Sequence, residues 1–197
     1  MSIKCWEGDG TPGGWYHAGT RSSRVFAAPP DVETGWCGRV DWRPGMALRT
    51  PRSTDRDELA KLARELGYDV SAEDVGRRLA TSRGTDDDLV LVSEAAGRLV
   101  GFVHAQRRRD LLGGERVEIV ALVVTAGGRR AGTGRSLVEA AAEWARGLGL
   151  VRLRVRTDIR RRAAAAFYHR LGFDERKRQR VFERGVAVDA SRPPAER

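Results

Sequence analysis

The chain has 197 residues, 41% of them hydrophobic and 32% charged, which suits one globular domain with an appendage and excludes wholesale disorder. The densest apolar run, residues 119–124, is strand-sized and far short of the roughly 18 residues that span a membrane; residues 1–20 lack the basic start and apolar stretch of a signal peptide, so a cytoplasmic protein without membrane contact is expected. Lys and Arg number 36 against 27 Asp and Glu, and the resulting net charge of +9 draws anions: nucleic acid, acidic lipid or a phosphorylated cofactor.

Residues 1–45 keep neither a helical nor a strand period. Gly13-Gly14, Pro29-Pro30 and Pro44-Gly45 punctuate them, and they carry four of the five tryptophans, Trp6, Trp15, Trp36 and Trp42. The segment reads as a poorly ordered extension, with docking of its tryptophans on the body or on a partner as the other reading. Met46 opens the first regular pattern and is a candidate natural start. Cys5 and Cys37 have no neighbours at zinc spacing; a disulfide and two thiols both fit, and no metal site is expected.

From Met46 the pattern is regular. Residues 46–49 form a short strand before Pro51. Ser53, Thr54 and Asp55 offer N-caps to a helix with the stripe Leu59, Leu62, Ala63 and Leu66, stopped by Gly67. Ser71 followed by Asp74 caps a second helix that turns Val75, Leu79 and Ala80 inward. Strands over 89–93 and 99–105 flank an Ala96-Gly97 turn and make a hairpin. Gly113-Gly114 turns the chain into a largely apolar strand over 117–124. A Gly-rich loop, 127–134, leads into a helix predicted over 135–146, with Leu137, Val138, Ala141, Trp144, Ala145 and Leu148 on one face. Val151, Leu153 and Val155 alternate with Arg152, Arg154 and Arg156 as a half-buried strand. Residues 163–170 make a short helix closed by Gly172, and 173–184 read as a final strand pair or one long strand. The domain spans 46–186, and 187–197 is a loose polar tail. The order predicts an α/β mixture with an antiparallel half.

The loop Arg129-Arg130-Ala131-Gly132-Thr133-Gly134-Arg135 lies between a buried strand and a long helix. A helix N-terminus leaves backbone N–H groups unpaired at the positive end of the dipole, and glycines let that backbone approach a phosphate closely. Three arginines add charge. A Walker A loop would end in Gly-Lys-Ser/Thr, and a dinucleotide fingerprint would carry a third glycine; neither is present.

Arg129-x-x-Gly132-x-Gly134 after an apolar strand, followed by Ala166-Phe167-Tyr168-x-x-x-Gly172-Phe173, resembles the GNAT superfamily of acetyl-CoA-dependent N-acetyltransferases. The first motif is similar to the family's Q/R-x-x-G-x-G/A pyrophosphate loop, the second to its FYxxxGF helix. The resemblance covers about residues 46–183. It implies a mixed, mostly antiparallel central sheet flanked by helices, α+β in class and splayed after the strand that precedes the loop. It further implies acetyl-CoA as co-substrate and a primary amine of a small molecule or peptide as acceptor. Backbone groups of Leu122, Val123 and Val124 would pair with pantetheine. Arg129, Arg130, Ala131, Gly132, Thr133 and Gly134 would hold the pyrophosphate with Arg135 nearby, and Tyr168 would be the general acid. Members commonly carry an asparagine seven residues before this tyrosine; Arg161 stands there, and its guanidinium would serve cofactor phosphates instead.

Amine attack on a thioester needs a proton acceptor, a donor for the leaving thiolate and polarisation of the carbonyl oxygen. No cysteine lies within the domain to carry an acyl group, so direct transfer in a ternary complex is expected. Glu118 is the base candidate: it is a lone carboxylate inside a Val, Ile and Leu strand, where an unpaired charge is costly. It also lies eleven residues before Arg129, where some family members keep a catalytic glutamate. Pairing with Arg116 or facing solvent is the competing reading. His104 on the adjacent strand is a second candidate, and His169 reads as surface. Asp86-Asp87-Asp88 would attract a cationic amine or simply be a solvated loop. The clusters 107–109, 160–162 and 176–180 carry arginines without interleaved aromatics, which disfavours nucleic acid. A non-catalytic acyl-CoA sensor or basic nucleic-acid binder is the alternative to the enzyme, and the family resemblance allows a homodimer.

Overall fold

The computed structural model describes residues 23–25, 39–41, 46–82 and 86–185. The expected looseness of the arm and tail, the docking of the early tryptophans and the state of Cys5 and Cys37 lie outside these residues, apart from two short strands, β1 (Ser23–Val25) and β2 (Arg39–Asp41), paired antiparallel. The chain divides into two compact units, Met1–Arg156 and Thr157–Arg197. No described helix is long and apolar enough to cross a membrane.

The first unit is built on a five-stranded sheet of order β3 (Met46–Arg49), β4 (Asp88–Ala95), β5 (Arg98–Asp110), β6 (Gly114–Val124) and β7 (Leu153–Val155). β3 to β6 are antiparallel, and β7 joins β6 parallel. This is the mostly antiparallel sheet that the family resemblance implied, and it contains the antiparallel half that the element order predicted. The β4–β5 turn works because Ala96 and Gly97 both take positive φ, 50° and 73°, which matches a two-residue hairpin to the twist of its strands.

Helices α1 (Arg56–Glu65) and α2 (Ala72–Ser82) cover one face. Leu59 and Leu62 of α1 pack with Val92, Leu99 and Val123, flanked by Leu66, Val75, Leu79 and Phe102. Ser71 caps α2 as its spacing predicts, accepting from the Asp74 backbone N–H at 3.0 Å. Helix α3 (Thr133–Gly147) starts two residues earlier than its apolar stripe suggests and buries Leu137, Val138, Ala141 and Trp144. A side chain at Gly101, which pairs with Val124, would meet Leu137 on α3; neighbouring Phe102 joins the α1 core, so α3 covers the opposite face.

Asp55 does not cap α1. Its carboxylate is taken by Arg49, with Arg49 Nη1 at 2.6 Å and Nη2 at 3.0 Å, and by the Arg52 N–H at 2.6 Å. Arg49 also reaches Glu94 at 2.7 Å, which ties β3, β4 and the α1 entry together. Burial pushes the Asp55 carboxyl up, but the Arg49 and Arg52 contacts outweigh it and hold the group below its ordinary range. A depressed carboxyl stabilises above its unfolded value near pH 4 and loses that contribution as pH falls. Asp55→Asn is expected to cost about 1–2 kcal/mol at pH 7 and little at pH 2–3, a difference that denaturant curves at the two pH values will read.

The second unit holds α4 (Arg162–Arg170), closed by Gly172 at φ 83°. The expected strand or strand pair over 173–184 is absent: described residues 173–185 carry no strand. From Asp174 to Arg180 every side chain is polar, so the segment has no apolar face to bury, and Val181 and Phe182 are 88% and 86% exposed.

Candidate functional site

Between Val124 and α3 the chain makes a tight turn with its own scaffold. Thr125 Oγ1 accepts from the Gly128 N–H at 3.1 Å, and the Arg129 N–H returns to the Thr125 carbonyl at 3.1 Å. Gly128 is there of necessity: a Cβ would lie 2.9 Å from the Val100 carbonyl oxygen. Arg130 then takes a left-handed φ of 62°, and Gly132, the α3 N-cap, a φ of 87°. A non-glycine residue in that region costs about 1–2 kcal/mol and marks a backbone held for a purpose.

That path has a chemical result. The backbone N–H groups of Arg130, Ala131, Gly132, Thr133, Gly134 and Arg135 have no hydrogen-bond partner among the described residues. Six consecutive unpaired donors, half of them opening α3 at its positive dipole end, form an anion cradle. Arg129, Arg130 and Arg135 are exposed around it. Thr133 and Ser136 are buried beneath it at 1% and 7% exposure. The donor set fits a diphosphate, which offers oxygens to several N–H groups at once.

β6 leads into this cradle with one edge open. The β6–β7 ladder pairs Val117 with Leu153, Glu118 with Arg154 and Ile119 with Val155, and goes no further. Val120 is an extra residue against β5, where His104 pairs with Ala121 and Ala105 with Ile119. Beyond this bulge Leu122, Val123 and Val124 pair with β5 alone, so their far side presents main-chain donors and acceptors to an extended ligand.

Glu118 is buried, at 4% exposure, and its carboxylate is held by arginines on both sides. Arg156 Nε lies 3.0 Å from Oε1, and Arg116 Nε 3.5 Å from Oε2. The sequence anticipated the Arg116 contact but not Arg156. His104 Nε2 meets Asp88 Oδ1 at 2.9 Å, and Gln106 Nε2 meets the same oxygen at 2.7 Å. A carboxylate only accepts, so His104 donates from Nε2.

Arg161 and Tyr168 belong to the second unit. Arg161 is the residue at which α4 begins. Tyr168 packs edge-on between Phe167 and Phe173, with ring centroids 5.2 and 5.5 Å away. Burial alone pushes its phenol up to about 12. Its hydroxyl makes no hydrogen bond to a described residue. His169 is exposed, with Nδ1 3.0 Å from the Phe173 carbonyl oxygen, in keeping with its surface reading.

The GNAT acetyltransferase family model matches residues 56–173, more than half the chain and both motifs. The chain belongs to the GNAT family. Solved structures of GNAT enzymes share its fold at low identity. The aminoglycoside N-acetyltransferase AAC(6')-Iy in complex with CoA is 19% identical with a TM-score of 0.65, over 72% of this chain and 95% of that one. Glucosamine-6-phosphate N-acetyltransferase from Arabidopsis thaliana is 20% identical with a TM-score of 0.62, over 70% and 97%. Aminoglycoside 6'-N-acetyltransferase AAC(6')-Ih from Acinetobacter baumannii is 17% identical with a TM-score of 0.64, over 73% and 100%. No curated protein matches this GNAT chain in sequence. Sequence reasoning missed Arg156 and Gln106 in this GNAT domain, and it read Asp88 as a lure or a solvated loop residue rather than as the partner of His104 and Gln106. Only the alternation Arg152, Arg154, Arg156 hinted that basic side chains share one face; their register against Glu118 is a property of the parallel ladder.

Proposed function

We propose that this GNAT chain moves an acetyl group from acetyl-CoA to a primary amine of a small molecule or peptide, by direct attack in a ternary complex. The observation that carries the reading is the row of six unpaired N–H groups at residues 130–135. Leu122, Val123 and Val124 would bind the pantetheine arm along the open β6 edge, the cradle with Arg129, Arg130 and Arg135 the diphosphate, and Arg161 further phosphate.

The acceptor arrives mainly protonated; an amine with a pKa near 10.4 is neutral about once in 2500 at pH 7. In the proposed step Glu118 takes that proton, the nitrogen bonds to the carbonyl carbon, the C–S bond breaks as Tyr168 donates to the departing sulfur, and the second proton that the nitrogen sheds on becoming an amide returns to the Tyr168 oxygen by way of water, leaving the amide, the CoA thiol and a protonated Glu118. Both Glu118 oxygens face arginines, so proton uptake requires Arg156 to release Oε1. The Arg156 side chain is 63% exposed, which leaves it room to swing away. Glu118→Gln is expected to lower kcat by about 10²-fold, with CoA affinity held within a factor of about two. Single-turnover rates and calorimetry with CoA check this; an unchanged kcat removes Glu118 from the chemistry. Arg161 in place of the usual asparagine favours a second reading, an acyl-CoA sensor. Heat of CoA binding without thiol release for any member of an amine panel would select it.

A further inference from the structure

We infer that the acceptor carries an anionic group, a carboxylate or a phosphate, on the far side from its amine, and that Arg108 and Arg154 bind it. The inference rests on the acetyl-transfer reading above and names the acceptor class for the same site. Residues paired directly across a ladder point to one face of the sheet. Asp88, Gln106, Glu118 and Arg154 therefore form one row across β4, β5, β6 and β7, and Arg108 and Arg116 oppose each other in the next row. Phe102 and Val123, also paired, share this face and pack under α1, so the α1 side of the sheet is apolar at one end and charged at the other.

The charges on that end are not balanced by their neighbours. Every carboxylate is already held: Asp88 by His104 and Gln106, Asp110 by Arg116, Glu118 by Arg156 and Arg116. Asp87, which the sequence offered as a lure for a cationic amine, is taken by Arg109 at 2.8 Å. Arg108 and Arg154, in contrast, have no ion-pair partner among the described residues, although Arg154 exerts a longer-range pull on Asp110. Arg108 also stands opposite Arg116, a like-charge pair that disfavours the ladder unless an anion joins it. Arg116 is only 6% exposed, and its buried Nε lacks a hydrogen bond. Its charge is met by Asp110 and Glu118, which leaves Arg108 as the unmatched member of the pair.

The reach suits a small molecule. Arg154 pairs directly with Glu118, and Arg108 stands one row further along the same face, roughly 7 Å along the strands. An amine within reach of Glu118 and an anion between the Arg108 and Arg154 side chains would thus be separated by the length of a short alkyl chain. A cationic acceptor would meet occupied carboxylates and spare arginines.

A set of acceptors with one five-carbon chain tests this: 1-aminopentane, 5-aminopentanoate, 5-aminopentyl phosphate and 1,5-diaminopentane. Thermal shifts are measured on protein saturated with CoA, so that the cradle is filled, and acetyl transfer is followed by thiol release. The two anionic amines are expected to raise the melting temperature and the diamine not. kcat/KM for the anionic amines is expected to exceed that for 1-aminopentane by about tenfold or more. The double variant R108A/R154A should bring the anionic amines down to the 1-aminopentane level. Equal shifts for all four amines, a preference for the diamine, or an anion preference that survives R108A/R154A would each overturn the inference. A protein that gives no heat with CoA would instead fail the acetyl-transfer reading itself. Separate shifts for carboxylate and phosphate show which anion is bound.

Discussion

Tyr168→Phe is expected to reduce kcat by about 10²–10³-fold while CoA affinity stays within about twofold. The variant keeps the ring, so the edge contacts to Phe167 and Phe173 survive and only the hydroxyl is lost. Burial that holds the phenol near 12 keeps it protonated across the working range. With the phenol at about 12, outright proton transfer to a thiolate with a pKa near 8.5 is uphill by about 3.5 units. In the proposed step the phenol would therefore act first as a hydrogen-bond donor to the sulfur, with proton transfer trailing C–S cleavage. The kcat profile should show no descending limb from this group below about pH 11, because the phenol remains intact there. Stability gives a second readout. A phenol whose folded value is raised holds its proton more tightly folded than unfolded, so stability falls as pH rises from about 10 toward 12. Tyr168→Phe lacks that slope, which denaturation midpoints at pH 8 and 11 will show. Unchanged turnover would remove the tyrosine from the chemistry.

Acetyl-pantetheine, which carries the thioester but no nucleotide, is expected to be a worse donor than acetyl-CoA by about 10³-fold in kcat/KM, mostly through KM. Each charge-assisted bond to an anion contributes about 1.5–3 kcal/mol, and the cradle offers six N–H groups and the α3 dipole. Not all six can bond at once, so the figure is set by two or three of them. Gly132→Ala probes the same geometry from the protein side. It forces a Cβ into a φ of 87° at a cost of about 1–2 kcal/mol, and the backbone relieves that strain by turning donors away. CoA affinity should fall about tenfold. If acetyl-pantetheine matches acetyl-CoA, the loop is only a turn.

The sheet, its helices and the loop were legible because each rests on local pattern. Ala96-Gly97 dictates a hairpin, Ser71 with Asp74 a cap, and apolar spacing the α3 stripe. The loop stood out because glycines between a buried strand and a helix leave donors unpaired. What was hidden depends on pairing between distant segments. Arg156 reaches Glu118 through a three-residue parallel ladder that nothing in either segment announces. Asp55 has the sequence of a cap and serves Arg49 instead, because an arginine already partly buried binds a carboxylate more strongly than a solvated helix end does. The segment 173–184 misled for the opposite reason: Phe173, Val181 and Phe182 bracket it with apolar residues, while its middle is wholly polar.

Helix α3 has a consequence that extends past its own turns. Thr133 and Ser136 at its head and Leu137, Val138, Ala141 and Trp144 along its shaft are all sunk into the body of the first unit. The proposed diphosphate seat is thus one end of a rigid piston rather than a pliable flap. Loosening the packing around Trp144, two helical turns or more from any phosphate, would tilt the seat and weaken the nucleotide's hold, so robustness and coenzyme grip should decline together in this protein.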